Sequence, residues 1–250
     1  MSILSLDQEK AFDRVDWGFL RSVVVHMGFG PSFVAWVDLF YSGVQSAVKV
    51  NGYLTHFFKL SRGVHKGFPL SSLLYVLYAE VLACSFRANP RIQGLLLPGP
   101  SSPLSVVSQY VDDTSLVVTS TDAIKAVFDT YTVFASVSGS RLTQVKSKGL
   151  WLGSWCGPVD TPVHLDWTSG TLKIFGIFFG SGDVEEMDGH PRIVAVKNVL
   201  NSWRQWGLSF RGKALIVNAL ALVRIWYVAS LIHLPVCALR FLSVLFLLEG

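Results

Sequence analysis

The sequence has little charge for its length, because charged residues make up 15% of the 250 residues while hydrophobic residues make up 51%. Soluble globular domains usually carry about 25% charged residues. Such a composition is more natural for part of a larger protein, and it predicts exposed apolar surface. The net charge of +4 is compatible with a polyanionic partner, but it is too mild to identify one and fits a slightly basic globular protein equally well.

Cysteine is also scarce, and its spacing excludes two classes of small stabilised domain. Cys84, Cys156 and Cys237 are far apart, odd in number and without C-x-x-C spacing. Neither a disulfide framework nor a zinc site is therefore indicated, and a reducing compartment fits best. The first residues, MSILSLDQEKAF, lack the basic segment and cleavage pattern of a secretory signal and are typical of a strand.

A long uninterrupted apolar run is missing as well. The most apolar part of the chain, residues 213–250, is interrupted by Arg224, His233, Pro235 and Arg240. A membrane-spanning helix needs about 20 consecutive apolar residues, so buried helices are the better interpretation. Peripheral membrane contact through this segment stays open as an alternative.

The first quarter of the chain has helical spacing with capping signals. Asp16 is placed to cap a helix over residues 17–27, and Gly28 follows where that helix would stop. Pro31 predicts the start of a second helix, which would end at the Ser42-Gly43 pair.

The period then changes to that of strands. Asn51-Gly52 lies between two β-prone runs within residues 45–60 and predicts a hairpin with a tight primed turn. Pro69 is placed to begin a helix that is apolar on nearly every side. Residues 89–105, with four prolines and two glycines, are predicted to be a loop.

The second half of the chain also contains both strand-like and helix-like patterns. The runs SVVSQY and TSLVVTS flank Val111-Asp112-Asp113, which predicts a hairpin with both acids at its tip. Residues 121–138 have helical spacing ended by Gly139, LKIFGIFFG is typical of strands, and the remainder is helical. This order predicts an α+β domain with a helical appendage.

Adjacent acids at a hairpin tip suggest a cation. Like charges at one point repel, so Asp112 and Asp113 are costly unless something positive lies beside them. If the strand that ends at Asp7 lies next to this hairpin, three carboxylates converge and are able to hold two Mg²⁺ ions for phosphoryl chemistry. The alternative is that the pair only forms a turn and binds no metal.

Six stretches in the same order resemble successive motifs of the reverse transcriptases of non-LTR, LINE-like retrotransposons. They are LSLDQEKAFDRVD, GVHKGFPLSSLLY, YVDDTSLVV, LTQVKSK, LKIFGIFFG and the helical stretch LNSWRQWGLSFRGKALIVNALALVRIWY. The resemblance implies an α+β polymerase palm, an antiparallel sheet with helices packed on one face, over residues 1–182. A helical thumb-like segment is expected over residues 183–250.

The resemblance also implies an RNA-directed DNA polymerase and assigns roles to matching positions. Asp7, Asp112 and Asp113 would be catalytic residues and ligands of two Mg²⁺ ions, which Mn²⁺ is able to replace, with help from the backbone of Gln8 or Val111. Lys146 would lie near the departing pyrophosphate as a further catalytic residue. Substrate-binding positions are Phe12, which would exclude a ribose 2′-hydroxyl by its bulk, and Lys66, Gly67 and Pro69.

The last third supplies the residues expected to bind nucleic acid. They are Lys173, Lys197, Arg204, Arg211 and Lys213, interleaved with Trp203, Trp206 and Trp226 and followed by Arg224. Cations would contact phosphates and aromatic rings would offer stacking surfaces. The alternative, which we weigh equally, is that the tryptophans pack in a core.

The sequence departs from the family pattern in two places. The second motif usually reads Arg-Gln-Gly-Cys-Pro-Leu-Ser-Pro, whereas residues 65–72 read HKGFPLSS, which puts Lys66 in place of glutamine and Phe68 in place of cysteine. Six residues precede Asp7, so the fingers region of the family is expected to be missing and the thumb incomplete. These departures leave open the alternative of a catalytically inactive remnant that at most binds nucleic acid. A further alternative is a membrane-associated protein that uses the apolar C-terminal segment.

The implied partners are an RNA template, a DNA primer and deoxynucleoside triphosphates. The remaining parts of a longer retrotransposon polyprotein are a further expected partner, and association with a membrane is not favoured. The family acts in the cytoplasm and the nucleus, but the sequence has no strong basic localisation run and fixes no location.

Overall fold

The computed structural model describes residues 1–96, 104–153 and 163–232, which form two compact units, Met1–Thr168 and Ser169–Gly250. This division comes earlier than the predicted boundary between residues 182 and 183. The strand pair of the LKIFGIFFG stretch accounts for the difference, since it belongs to the second unit. Cys156, Cys237 and three of the residues that interrupt the apolar C-terminal run lie outside the described residues.

The first unit combines short helices and strands in a mixed order. Its elements are β1 (Ser2–Leu6), α1 (Ala11–Arg14), α2 (Trp17–His26), α3 (Pro31–Tyr41), β2 (Gln45–Ser46), β3 (Lys49–Val50), β4 (Tyr53–Leu54), β5 (Phe58–Lys59), α4 (Pro69–Ala88), β6 (Leu95–Leu96), β7 (Leu104–Ser105), β8 (Val107–Tyr110), β9 (Asp113–Val118), α5 (Thr121–Ser138), β10 (Lys148–Trp151) and β11 (Asp166–Thr168).

Five of these strands form the main sheet, in the order β11-β10-β1-β9-β8. The pair β10–β11 is parallel and the other three pairs are antiparallel. Alternate residues of the central strands, such as Leu4 and Leu116, lie in one apolar core with residues of α2, α4 and α5. The α+β fold class, with a largely antiparallel sheet and helices packed against it, is thus confirmed.

The predicted helix ends agree with local hydrogen bonding. Asp16 caps α2, because its Oδ1 accepts a hydrogen bond of 2.8 Å from the backbone N–H of Phe19. Helix α5 covers the predicted residues 121–138 and ends at Gly139, whose φ of 79° is left-handed. Pro31 and Pro69 occupy the first turn of α3 and α4, as their positions in the sequence indicate.

The hairpin predicted from Asn51-Gly52 is present. Strands β3 and β4 pair across it, and both turn residues have positive φ, which is the primed geometry. The loop predicted over residues 89–105 is wrong at two points, because Leu95–Leu96 pairs with Leu104–Ser105. Strands of only two residues give no recognisable sequence pattern in a segment rich in proline and glycine.

The predicted exposure of apolar surface is also seen. Trp36, Leu39 and Tyr53 are 65%, 73% and 82% exposed, and Phe57 is 70% exposed. These residues belong to α3 and the small hairpins beyond it, outside the helix-and-sheet core.

Over residues 169–232, the part that the structure describes, the second unit is a hairpin followed by three α-helices and one π-helical stretch. Its elements are β12 (Thr171–Ile174), β13 (Ile177–Gly180), α6 (Val184–Arg204), α7 (Phe210–Ile216), a π-helical stretch (Val217–Leu222) and α8 (Val223–Ala229). The buried carboxylate of Asp188 on α6 accepts a hydrogen bond of 2.8 Å from the N–H of Phe178 on β13. This contact ties the hairpin to the helices.

Two helical stretches among the described residues, Pro69–Ala88 and Phe210–Ala229, are long and apolar enough to cross a membrane by length and composition. The first is α4, whose Leu74, Tyr75, Tyr78 and Leu82 are buried in the core of the first unit. Buried core helices of soluble proteins are often as long and as apolar as this one. The length and composition of these two stretches are therefore weak evidence for a membrane span.

Candidate active site

Three carboxylates lie at one end of the main sheet. Strands β1 and β9 pair with Leu6 opposite Thr114, so the next pair outward would set Asp7 opposite Asp113. Tyr110 pairs with Asp113 to close the β8–β9 hairpin, which leaves Asp112 in the turn. Strands β1 and β9 are therefore neighbours, as convergence of the three carboxylates requires.

The electrostatics of Asp113 reflect this crowding of negative charge. Burial of its carboxyl group and then the charges of Asp112 and Asp7 raise its pKa above the ordinary value of an aspartate. The ionised form is thus disfavoured unless a cation offsets the repulsion. This is the behaviour expected of carboxylates arranged to meet a positive charge.

The donor set fits a hard divalent cation. Mg²⁺ prefers carboxylate oxygens, and it is commonly held by one or two carboxylates together with substrate phosphates and water. Within the parts of the chain that the structure describes, no group of three or more His, Cys, Asp or Glu side chains forms a ready cage for a metal ion. A site completed by substrate phosphates is consistent with both observations.

The turn that carries Asp112 is strained. Val111 has a φ of 56°, in the left-handed region that a β-branched residue rarely adopts. It is the first central residue of a two-residue turn, where glycine is usual when φ is positive. Backbone strain of this kind is typical of functional sites.

A turn after α5 fixes the backbone of Asp7. The N–H of Asp7 donates to Oγ of buried Ser147 over 3.1 Å, and its carbonyl accepts from the N–H of Thr143 over 2.9 Å. Lys146 belongs to the same turn, since its N–H donates to the Thr143 carbonyl over 3.1 Å. The structure therefore brings predicted Lys146 to the segment that holds Asp7, with its side chain exposed.

Next to Asp7, Gln8 belongs to a buried polar network that the sequence does not predict. The Oε1 atom of Gln8 accepts hydrogen bonds from the Tyr75 hydroxyl at 3.2 Å and from Ser140 Oγ at 3.0 Å, and Tyr131 contacts the same serine. Burial raises the pKa of Tyr75, and it raises that of Tyr131 to about 12. Both tyrosines therefore stay protonated and able to donate hydrogen bonds at neutral pH.

Phe12 lies on α1 next to this network. Its ring stacks on that of Tyr75, and its backbone carbonyl accepts a hydrogen bond of 2.8 Å from Val64. The side chain is half-buried. Phe12 thus has the fixed position that a residue needs in order to exclude a substituent by bulk.

The other predicted substrate residues lie in the segment before α4. Lys66 and Gly67 are exposed, Gly67 has a φ of 86° with open space around its Cα, and Pro69 starts α4. Lys66 also lines a cavity of about 470 Å³ formed by residues 58–66 and Asp13.

In the second unit, two of the predicted nucleic-acid-binding residues share a cavity. Arg204 and Lys213 line a cavity of about 360 Å³ that also includes Trp203 and Trp206. Trp206 is 60% exposed, which favours the surface role over the core alternative for that ring. The remaining three are not brought to this cavity: exposed Lys197 and Arg211 lie on α6 and α7, and Lys173 lies on β12 with its Nζ 5.3 Å from the centre of the Phe178 ring.

Comparison with protein families gives a match over most of the chain. A family model described as reverse transcriptase (RNA-dependent DNA polymerase) matches residues 1–177. The transposon TX1 uncharacterized 149 kDa protein of Xenopus laevis is 34% identical over 232 residues, which are 91% of this chain and 18% of that protein.

Two further relatives are polyproteins. The retrovirus-related Pol polyprotein from type-1 retrotransposable element R2 of Popillia japonica is 26% identical over 72% of this chain and 26% of its own length. That from type-2 retrotransposable element R2DM of Drosophila melanogaster is 26% identical over 58% of this chain and 13% of its own. The chain spans about a quarter or less of the length of these relatives.

Solved structures with a similar fold include telomerases. Apo telomerase from Candida tropicalis matches with a TM-score of 0.57, 12% identity and coverage of 92% of this chain and 42% of that one. The same telomerase in complex with a TWJ fragment of telomeric RNA matches with a TM-score of 0.55 and 12% identity, over 98% of this chain and 42% of that one. These likenesses concern the fold alone.

Proposed function

The chain belongs to the reverse transcriptase (RNA-dependent DNA polymerase) family, as a domain of the non-LTR, LINE-like retrotransposon kind, and we propose that it catalyses RNA-directed DNA synthesis at Asp7, Asp112 and Asp113. The observation that carries this proposal is the β1–β9 register, which runs from Leu6 opposite Thr114 toward Asp7 and Asp113. The raised pKa of Asp113 supports it, because a cation would relieve the repulsion.

The family generally uses divalent metal ions, and we assign two Mg²⁺ ions, or Mn²⁺ in their place, to these three carboxylates. When bound, the ions would activate the attacking 3′-hydroxyl and stabilise charge on the leaving pyrophosphate. The carboxylates themselves are kept in position by the sheet, and Thr143 and Ser147 fix the backbone of Asp7. Catalysis would then depend on positioning and charge stabilisation.

Other residues of the chain would hold the reactants. Lys146 would neutralise charge or give a proton at the pyrophosphate, and its exposed side chain is free to reach toward a ligand. Phe12, fixed on Tyr75, would exclude a ribose 2′-hydroxyl. Gly67 and Pro69 would let the backbone before α4 approach the nucleotide closely, with Lys66 beside them.

The substrates would be an RNA template, a DNA primer and deoxynucleoside triphosphates. A telomerase of similar fold is known in complex with a fragment of telomeric RNA, which supports a nucleic-acid partner. In the second unit, Lys173, Lys197, Arg204, Arg211 and Lys213 would contact phosphates, while the exposed ring of Trp206 would offer a stacking surface. The remaining domains of a longer polyprotein are a further proposed partner.

The test is Mg²⁺-dependent extension of a DNA primer on an RNA template. The wild-type chain is compared with a variant carrying Asp112→Asn and Asp113→Asn, which we expect to lose at least about a hundredfold in rate. A matched control carries Asp38→Asn and Asp129→Asn, two acids in exposed ion pairs, and should keep full activity.

The two possible failures have different meanings. Equal extension by the wild type and the Asp112/Asp113 variant would refute the assigned site. No extension by a folded wild-type chain, at any Mg²⁺ or Mn²⁺ concentration tried, would favour the inactive remnant over a working polymerase.

A further inference from the structure

A second candidate site lies in the segment that precedes α4. Residues Phe58–Lys66, which we call the cationic loop, form the wall of the 470 Å³ cavity together with Asp13. Four basic residues of the loop line this cavity: Lys59, Arg62, His65 and Lys66. Asp13 supplies one carboxylate against them, so the wall carries an excess of positive charge.

These basic residues differ from the other arginines of the first unit in whether they form ion pairs. Five of its arginines form ion pairs with acidic side chains: Arg14, Arg21, Arg87, Arg91 and Arg141. Arg62 is the sixth arginine of that unit, and within the described ranges neither it nor Lys59 nor Lys66 forms an ion pair. The charge of the loop is therefore left for an external anion.

The backbone of the loop is fixed at its centre. Gly63 donates its N–H to the Val15 carbonyl and accepts from Nε1 of Trp17, and Val64 donates to the Phe12 carbonyl, all over 2.8 Å. Gly63 has a φ of 95°, and a Cβ there would lie 2.9 Å from the backbone oxygen of Asp13. Arg62 and His65, which flank this anchored pair, are thus presented from a rigid support.

An aromatic ring accompanies the cations. Phe58 lines the same cavity and is 47% exposed. Cations beside an exposed ring are typical of sites for single-stranded nucleic acid, where the cations contact phosphates and the ring stacks on a base. A free phosphate or pyrophosphate carries no base and would make no use of the ring.

We propose that the cationic loop binds the backbone of a single-stranded nucleic acid, with Lys59, Arg62 and His65 on phosphates and Phe58 stacked on a base. This inference rests on the proposed function, which it deepens by giving the template strand a contact surface on the first unit. It adds residues that the resemblance to known reverse transcriptases did not assign.

The experiment measures binding without catalysis. A fluorescently labelled single-stranded RNA is titrated with the full chain in EDTA and without nucleotides, at several salt concentrations, and anisotropy is recorded. The test variant carries Lys59→Gln and Arg62→Gln. The control carries Lys125→Gln and Arg87→Gln, which remove the same charge from exposed positions on α5 and α4.

The test variant should bind RNA about tenfold more weakly or worse near 0.1 M salt, and the slope of log affinity against log salt should fall by about 1.4. Phe58→Leu should weaken binding about fivefold or more at an unchanged slope. The control variant should stay within about twofold of wild type, and thermal unfolding should show that every variant is folded.

Three results would overturn the proposal: no RNA binding by the folded wild-type chain, equal losses in test and control variants, or RNA binding that is unchanged in the test variant. Failure of the proposed polymerase activity is separate, because a chain that binds RNA through this loop but extends no primer would refute only the activity. Normal extension with RNA binding unaffected by the loop substitutions would refute only this inference.

Discussion

The ring of Phe12 stacks on the ring of Tyr75, with centroids 4.5 Å apart and planes 11° apart. Tyr75 in turn donates its hydroxyl to Gln8, the residue after Asp7. The position proposed to select deoxyribose is therefore held by the same buried tyrosine that supports the segment of a proposed metal ligand. Loss of the whole Tyr75 side chain should therefore affect both positions, whereas loss of its hydroxyl should affect only the Gln8 segment.

Phe12→Val should relax the choice of sugar. We expect the ratio of ribonucleotide to deoxyribonucleotide incorporation to rise by roughly tenfold or more, because the smaller side chain leaves room for a 2′-hydroxyl. Single-nucleotide incorporation kinetics would measure it. Phe19→Val is a matched control, since Phe19 is a partly buried ring of the same core; an equal rise in that variant would show a general loss of packing instead.

Tyr75→Phe keeps the ring stack and removes one hydrogen bond to Gln8. We expect a loss of about 1 kcal/mol in the free energy of unfolding, because Ser140 still donates to the same Gln8 oxygen. Urea unfolding would give this value, and sugar selection should not change. Altered selection in Tyr75→Phe would mean that the hydroxyl, beyond the stacked ring, positions Phe12.

Val111→Asn should cost less stability than Val107→Asn by at least about 1 kcal/mol. Both valines are partly buried against the same core, but Val111 has a positive φ that asparagine tolerates better. Paired urea-unfolding curves would measure the difference. If both substitutions cost the same, the turn at Val111 stores no strain.

Asp113→Asn should stabilise the chain at neutral pH when divalent cations are absent. The pKa of Asp113 is raised in the folded state, so the folded chain binds more protons than the unfolded chain as pH rises from the ordinary aspartate range to the raised pKa. Stability is lost across that window, and the loss persists above it. The Asp113→Asn variant does not lose this stability, because asparagine has no carboxyl group to ionise.

Thermal unfolding in EDTA would check this prediction. The gain of the variant over wild type should be present at pH 7 and vanish below the ordinary aspartate pKa of 3.8. Added Mg²⁺ should raise the Tm of the wild type and have little effect on the variant. Asp129→Asn serves as a control, and a gain of the same size in that variant would sink the interpretation.

Gly149→Ala should destabilise the first unit by about 1 to 3 kcal/mol. A Cβ at Gly149 would lie 2.2 Å from the indole of Trp167, which itself stacks on Trp151 with centroids 4.0 Å apart. Gly30→Ala, where a Cβ meets nothing within 4 Å, should cost a few tenths of a kcal/mol as a weaker helix cap. Chemical unfolding of both variants would measure the two losses of stability. Equal losses would contradict the close packing of Gly149 against Trp167.

Local signals allowed much of this structure to be predicted. Asp16, Gly139 and the Asn51-Gly52 pair act through hydrogen bonds and φ angles within a few residues, so the sequence is enough to place the elements that they bound. Strand β10 was missed, because Lys148–Trp151 is short and contains glycine. It is stabilised by pairing with β1, which is distant in sequence.

In the candidate site, too, the features with local sequence signals were predicted and those that depend on contacts distant in sequence were not. The acids Asp112 and Asp113 were visible as an unusual pair in a turn, and the family resemblance added Asp7. The buried Gln8 network and the bond from Asp7 to Ser147 were not predicted. In the cationic loop, Lys66 was predicted to bind substrate, but Lys59, Arg62 and His65 were not. Ser147 is 140 residues from Asp7, and a serine in a polar segment gives no sign of such a contact until the chain is folded.

The central position of β1 has a consequence for how the chain is made. Ser2–Leu6 is synthesised before both of its neighbours in the sheet, which are β9, at residues 113–118, and β10, at residues 148–151. At about 5 to 20 residues per second, β1 waits roughly 5 to 30 seconds before both partners exist. During translation this apolar strand has two open edges, so a molecular chaperone bound to the nascent chain would protect the segment that later carries Asp7.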